Sequence, residues 1–131
     1  MSVGILIITH SDIGKQMLLT ATSVYGNSPF RVELLSVDNF DQPNDVIQLG
    51  QKYVNFLDAG KGVLVLTDII GTTPSNIAKS IKHQKIRVVA GLNLSMILNV
   101  FNYPKYSLEK LAEKAIEGGV DGIMDLKNYD H

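Results

Sequence analysis

Short apolar runs alternate with helical stripes along the chain, and this alternation constrains the fold more than any other feature of the sequence. The apolar runs at residues 3–8, 62–67 and 86–90 are continuous, as in strands that are covered on both faces. Between these runs, apolar residues recur at helical spacing, and the clearest stripe consists of Leu108, Leu111, Ala112, Ala115 and Ile116. This order predicts an α/β fold in which helices cover both faces of a mostly parallel sheet, an open three-layer sandwich.

The connections between these elements predict a sheet with strand order 2-1-3-4. The second strand, residues 30–37, is more polar than the others, which favours a position near an edge. A weaker apolar run at residues 120–126 predicts a fifth, antiparallel strand at the edge beyond the fourth, after Gly118 and Gly119 end the preceding helix. In such a sheet the winding reverses between strands one and three, and the crevice at their carboxyl ends is where ligands bind.

Composition narrows the possible functions. The 131 residues suit one domain, residues 1–131, and a net charge of -1 without a basic cluster predicts no binding to nucleic acid. The absence of cysteine excludes a thiolate metal site, and the three histidines lack metal-ligand spacing, so we predict no metal and no cofactor. No basic leader and no long apolar segment are present, which predicts a cytoplasmic protein that meets a membrane only through a partner.

Two polar segments fall in the predicted crevice. Thr9, His10, Ser11 and Asp12 follow the first strand, and the segment from Asp68 to Thr73 follows the third. His10 and Asp68 are therefore expected on opposite lips of one crevice. A carboxylate can accept a hydrogen bond from one ring N–H of a histidine, which fixes the tautomer and leaves the other nitrogen free to attack.

The segment Gly71-Thr72-Thr73-Pro74 is typical of the start of a helix. Gly71 suits a tight turn, Thr73 is the predicted N-cap, and Pro74 suits the first helical position. Free N–H groups and the helix dipole at such a start favour an anion. A nucleophilic histidine facing an anion site predicts phosphoryl transfer, although Thr-Thr-Pro alone begins many ordinary helices.

Several residues have a second interpretation. Asp68 can instead cap the turn at Gly71, Asp12 is expected to cap the first helix, and His83 is expected to be a solvated side chain near a helix end. One of Ile69 and Ile70 is expected at the rim, where an apolar patch would help to dock a protein partner. Met96 either lines the crevice, where it would add to this docking surface, or fills the core.

Together these motifs resemble one family. His10 at the end of the first strand, the segment from Asp68 to Asn76, and the segment from Val89 to Met96 resemble the enzyme IIA (EIIA) domain of the mannose-type sugar phosphotransferase system (PTS). The resemblance covers nearly the whole chain. It implies a phosphotransferase in which His10 accepts a phosphoryl group from the carrier protein HPr and passes it to an EIIB partner. It also implies that Asp68 orients His10, with Nε2 as the attacking atom.

From their places in the crevice, we expect Ser11, Gly71, Thr72 and Thr73 to hold the phosphate, and Ile69, Ile70 and Met96 to dock partners. The resemblance adds expectations about the assembly. The family is typically a homodimer in which the C-terminal strand contributes to the subunit contact. Contact with the membrane would be indirect, through EIIC and EIID components of the transporter.

Departures from the family pattern leave other functions open. Thr72 stands where a second glycine is usual, and Ser11 stands where many members have glycine. The serine at position 11 also resembles the phosphoryl-carrier subunit of dihydroxyacetone kinase, which is one alternative. A regulatory EIIA without sugar transport is a further alternative. From another class, the main rival is a flavodoxin-like module that binds a small molecule. It would need a loop richer in Ser, Thr and Gly than the segment from Thr9 to Asp12.

Overall fold

A four-stranded parallel sheet forms the centre of the structure, a computed structural model that describes residues 2–128. Its strands are Gly4–His10 (β1), Val32–Val37 (β2), Val63–Thr67 (β3) and Ile86–Ala90 (β4). They lie in the order β2-β1-β3-β4, with β1 between β2 and β3. The predicted α/β class and strand order are thus confirmed.

Within the described part of the chain, five α-helices cover the two faces of this sheet. They are Ile13–Tyr25 (α1), Pro43–Leu57 (α2), Thr73–Ser80 (α3), Leu94–Phe101 (α4) and Leu108–Asp121 (α5). Helices α1, α4 and α5 enclose one apolar core with Ile5, Ile7 and Leu66, whereas α2 and α3 enclose a second core with Leu6 and Ile8. Neighbouring residues of β1 point to opposite cores, which explains why its apolar run is continuous rather than alternating.

The predicted fifth strand at residues 120–126 was wrong. Val120 belongs to the last turn of α5, which runs through Gly118 and Gly119. Up to residue 128, where the description ends, α5 is followed by a short 3₁₀ turn, Leu126–Asn128. The two glycines do not end the helix; they allow it to lie close to α4. A side chain at Gly118 would overlap with Asn99, and one at Gly119 would crowd Met96. No helix among residues 2–128 is long and apolar enough to cross a membrane.

Candidate functional site

Parallel strands bring His10 and Asp68 to the same edge of the sheet. His10 is the last residue of β1, and Asp68 directly follows β3, its neighbour in the sheet. The Oδ2 atom of Asp68 accepts a hydrogen bond from the His10 backbone N–H at 3.0 Å and lies 2.8 Å from His10 Nδ1. Because an ionised carboxylate only accepts hydrogen bonds, Nδ1 carries the ring proton and Nε2 of the neutral ring has a free lone pair.

The environment of Asp68 keeps its carboxylate ionised. Burial alone would raise the pKa of Asp68, but the hydrogen bonds from the His10 backbone N–H and from the His10 ring outweigh burial and lower this pKa from its ordinary value. The Asp68 side chain is 9% exposed, whereas that of His10 is 41% exposed. The pair therefore combines a buried, charged orienting group with a ring that a second molecule can reach.

The loop after His10 is held in an unusual conformation. Ser11 has a φ of 45°, in the left-handed region that favours glycine, and its N–H donates to the Val37 carbonyl at the end of β2. Thr9 Oγ1 accepts from the Gly14 N–H at 2.9 Å, so Thr9 satisfies the start of α1. Asp12 occupies the N-cap position of α1 but makes no side-chain cap bond there. Contacts with neighbouring elements thus impose the backbone direction beside His10.

The loop after β3 is fixed by hydroxyl groups. The N-cap of α3 is Thr72 rather than Thr73, so Thr73 and Pro74 are its first two residues and the predicted cap was wrong by one position. The Thr72 N–H donates to Ser75 Oγ at 3.1 Å, and the Thr72 hydroxyl donates to the Ile69 carbonyl at 2.5 Å. Gly71 has a φ of 81°, which requires glycine at this turn. The start of α3 therefore lies beside Asp68 in a well-defined loop.

Two of the three predicted docking residues lie on the surface. Ile69 is 59% exposed and Ile70 is 81% exposed, in the loop that begins at Asp68. Met96, in contrast, is 3% exposed and packs in the core that α4 and α5 share. Its N–H donates to Asn93 Oδ1, so Asn93 is the N-cap of α4. We correct the docking expectation for Met96, because its side chain is not accessible to a partner.

Sequence reasoning missed Asp38, which lies beside the site. It directly follows Val37 at the end of β2, and Ser11 Oγ donates to its Oδ1 at 3.4 Å. The position of Asp38 after the second strand predicts this location, because the carboxyl ends of all parallel strands meet at one edge. A carboxylate after the second strand should therefore have been placed beside His10.

A second histidine–aspartate pair lies at the opposite end of the sheet. His83 Nε2 is 2.7 Å from Asp58 Oδ2, and the two side chains are 18% and 19% exposed. Asp58 Oδ1 also accepts from the N–H groups of Gly60 and Gly62. The hydrogen bond from His83, with help from the two glycine N–H groups, lowers the pKa of Asp58 to about 2. His83 is thus a half-buried structural partner, and its predicted place as a solvated side chain was wrong.

This pair makes stability depend on pH. The pKa of Asp58 is 3.8 when unperturbed and about 2 in the folded chain. Its stabilisation is therefore complete above about pH 5 and is lost as the pH falls toward 2. We expect Asp58→Asn to lower the free energy of unfolding at pH 7 by about 1–2 kcal/mol, allowing for partial solvent screening. Urea unfolding at pH 7 and pH 3 measures this difference.

The matched control for this experiment is Asp121→Asn, which changes an exposed carboxylate at the end of α5. It should alter the free energy of unfolding by less than about 0.5 kcal/mol. The gap between the wild type and Asp58→Asn should narrow at pH 3. An equal gap at both pH values would show that the ionised carboxylate does not contribute.

Comparison with known proteins decides the family. The EIIA-man family model, described as the PTS system fructose IIA component, matches residues 4–116. The chain belongs to this family. The predicted resemblance to the mannose-type EIIA domain is thereby confirmed.

Solved structures and curated relatives agree with this EIIA assignment. The EIIA component of the phosphotransferase system from Streptococcus agalactiae is 27% identical, with a TM-score of 0.83 over 97% of this chain and 99% of that chain. The mannose/sorbose-specific IIA subunit from Enterococcus faecalis is 22% identical, with a TM-score of 0.83 over 100% and 99% of the two chains, which shows the shared fold. The mannose-specific EIIAB component of Escherichia coli K12 is 31% identical over 97% of this chain. The present chain spans 40% of the length of that relative.

The matching family is that of IIA components of the phosphotransferase system, and membership of it is what the comparison shows for this chain. In this EIIA chain the accessible ring of His10 is the side chain at the sheet edge whose chemistry suits covalent transfer.

Proposed function

We propose that this EIIA chain carries a phosphoryl group on His10, accepting it from phosphorylated HPr and passing it to an EIIB partner. The observation that carries the proposal is the 2.8 Å contact between His10 Nδ1 and Asp68 Oδ2, beside a ring that is 41% exposed. An oriented, accessible imidazole with a free Nε2 is what nucleophilic attack on phosphorus requires. The match to the EIIA-man family over residues 4–116 favours this role over that of a flavodoxin-like module.

Transfer of the phosphoryl group from the donor to His10 exchanges one phosphorus–nitrogen bond for another and requires no metal ion. The Nε2 lone pair of His10 forms a bond to phosphorus, and the bond between phosphorus and the donor's histidine nitrogen breaks, leaving its electron pair on that nitrogen. The Nδ1 proton stays on His10, so the phosphorylated ring gains positive charge. The ionised Asp68 carboxylate stabilises this charge through its hydrogen bond to Nδ1.

The phosphoryl oxygens would be held by the two loops that flank His10. The start of α3 supplies backbone N–H groups at Gly71 and Thr73, together with the positive end of the helix dipole. Ser11 supplies a hydroxyl from the loop after β1. The Thr72 hydroxyl and N–H both have partners within the loop, so Thr72 contributes by shaping the phosphate site. Ile69 and Ile70 would form the apolar part of the docking surface for both partners.

The test is to mix the protein with phosphorylated HPr in EDTA and to map the acid-labile phosphate. We expect one phosphate per chain, on His10. Subsequent addition of EIIB, or of dihydroxyacetone kinase subunits, then identifies the acceptor and separates sugar transport from the alternatives raised by Ser11. A chain that gains no phosphate, or gains it elsewhere, would contradict the proposal. We place this exchange in the cytoplasm, where EIIC and EIID provide the only contact with a membrane.

The carrier is proposed to work as a homodimer. Among the described residues, strand β4 pairs with β3 alone, which leaves its outer edge open. Beside this edge lies an apolar surface on the end of α5 and the residues that follow it. Its side chains are 46–77% exposed and belong to Ile116, Val120, Ile123, Met124 and Leu126. A groove of about 180 Å³ lies between Ala90 of β4 and this surface. A second copy of the chain would cover both features.

Introducing charge on this apolar surface should separate the subunits. We expect the double variant Val120→Glu/Ile123→Glu to be monomeric in light scattering, whereas the wild type has twice the monomer mass. Because both side chains are exposed in the single chain, the variant should still fold, as circular dichroism would show, although it loses the stabilisation that association gives the wild type. The control is Leu19→Glu/Val24→Glu, which changes exposed residues of α1 and should leave the mass unchanged. A monomeric wild type would contradict the dimer.

A further inference from the structure

Phe40 is a large aromatic side chain that the fold leaves exposed to solvent. It lies in the turn between β2 and α2 and is 96% exposed. The turn is held by the Asp38 N–H, which donates to Asp41 Oδ2 at 2.8 Å, and by the Asp41 N–H, which donates to the Asp38 carbonyl. Because folding does not bury this ring, the free energy of its transfer out of water remains available for binding a partner.

A groove of about 410 Å³ lies between Phe40 and the start of α2, along the outer edge of β2. Leu49 of α2, itself 40% exposed, adds apolar surface to this groove. Two carboxylates, Asp41 and Asp45, lie on its rim. The groove therefore combines an aromatic ring, an aliphatic wall and two negative charges. This combination suits an arginine or lysine, whose stem packs on apolar surface and whose charge faces a ring and a carboxylate.

The charges around the site point to the same kind of partner. The four loops at the carboxyl ends of the strands, residues 11–12, 38–42, 68–72 and 91–93, contain four aspartates and no lysine or arginine. The whole chain has a net charge of only -1, so the remainder of the chain is net positive. Negative charge is concentrated where the phosphoryl group must arrive. A dianionic phosphoryl group would be repelled by this edge unless its carrier brought positive charge with it.

The groove also lies within reach of the reaction. His10 pairs with Val37, and Phe40 is three residues further along the chain, which places its Cα within about 11 Å of that of Val37. Even a small, transient interface of about 600 Å² per partner covers a disc about 14 Å in radius. Such a disc spans about 28 Å, so one interface of this size can include both His10 and Phe40.

We propose that the phosphoryl donor protein anchors itself by inserting an arginine or lysine side chain into this groove against Phe40. The inference rests on the proposed function and adds the chemistry of the partner's docking face. The basic side chain offsets the acidic edge during approach, and burial of Phe40 holds the complex long enough for transfer. Small anionic phosphate donors lack this anchor, so the edge selects for a phosphoryl group carried by a protein.

The test compares two exposed phenylalanines. Phe40→Ala is expected to lower kcat/KM for transfer from phosphorylated HPr about tenfold or more, with the rate at saturating donor unchanged. Because Phe40 contacts so little of the chain, its removal should not alter stability. The control Phe56→Ala removes a phenylalanine that is 60% exposed and lies under Arg31 near the end of α2. It should change kcat/KM less than twofold.

The contribution of the two rim carboxylates to donor docking can be measured separately. The double variant Asp41→Asn/Asp45→Asn should lower kcat/KM and should make it less sensitive to added NaCl than in the wild type. Phe40→Ala that accepts phosphate as fast as the wild type would overturn the docking proposal while leaving phosphorylation of His10 intact. A defect confined to transfer onward to EIIB would overturn it too, because the groove would then serve the acceptor. Failure of the wild type to accept phosphate would overturn both proposals.

Discussion

Replacing His10 with alanine will abolish the acceptance of phosphate from phosphorylated HPr while leaving the fold intact. The effect is the largest expected for any single substitution, because no other residue at the sheet edge within residues 2–128 offers a ring nitrogen nucleophile with a fixed tautomer. His83, the other histidine within the described residues, holds its Nε2 against Asp58 at the opposite end of the sheet. It cannot replace His10 in the reaction.

The measurement is the mass of the intact protein after incubation with phosphorylated HPr in EDTA. The wild type should gain one phosphate and His10→Ala none. The matched control is His83→Ala, which removes the second histidine–aspartate pair and should still be phosphorylated if the experiment is run well below its unfolding temperature. Circular dichroism should show that His10→Ala is folded, because a side chain 41% exposed contributes little to the cores. Phosphate on the His10→Ala chain would remove His10 from the proposed role.

The positions of His10 and Asp68 could be predicted from sequence because the order of the parallel strands determines which loops lie side by side. Once β1 and β3 are recognised as neighbours, the residues that follow them must meet at one edge. Asp38 and Phe40 follow β2 by the same rule, but their use depends on exposure and on a groove. Those properties arise from how the turn at Asp41 is hydrogen-bonded, which the sequence pattern does not reveal.

The errors have equally specific causes. A pair of glycines can either end a helix or allow two helices to lie close together, and the sequence of Gly118 and Gly119 does not distinguish these roles. The position of Asn99 in the structure shows that they allow close approach. Thr72 and Thr73 are both residues that can serve as an N-cap. Thr72 is the N-cap in the structure because Ser75 Oγ accepts a hydrogen bond from its N–H. The pair of Asp58 and His83 joins two loops that are 25 residues apart, a contact that local patterns cannot indicate.

Asp68→Asn will slow phosphorylation of His10 by about tenfold to a thousandfold at saturating donor. Two losses combine in this variant. The amide has no negative charge to stabilise the positive ring that forms when Nε2 takes the phosphoryl group. Its NH₂ group can also donate to Nδ1, which would stabilise the tautomer that carries its proton on Nε2 and so removes the nucleophile. The low pKa of Asp68 means that the wild-type carboxylate is charged throughout the neutral range, so the defect should persist across that range.

Rapid-quench measurement of phosphohistidine at saturating phosphorylated HPr isolates this step from docking. The control Asp12→Asn removes an exposed carboxylate of the same edge that makes no side-chain bond at the start of α1, and its rate at saturation should match the wild type. If both variants slowed equally, the acidic edge as a whole would matter rather than the contact with His10. If Asp68→Asn transferred at the wild-type rate, the ring would be oriented by the backbone of β1 alone. Asp68 would then serve to bind the His10 N–H, with which it also makes a 3.0 Å hydrogen bond.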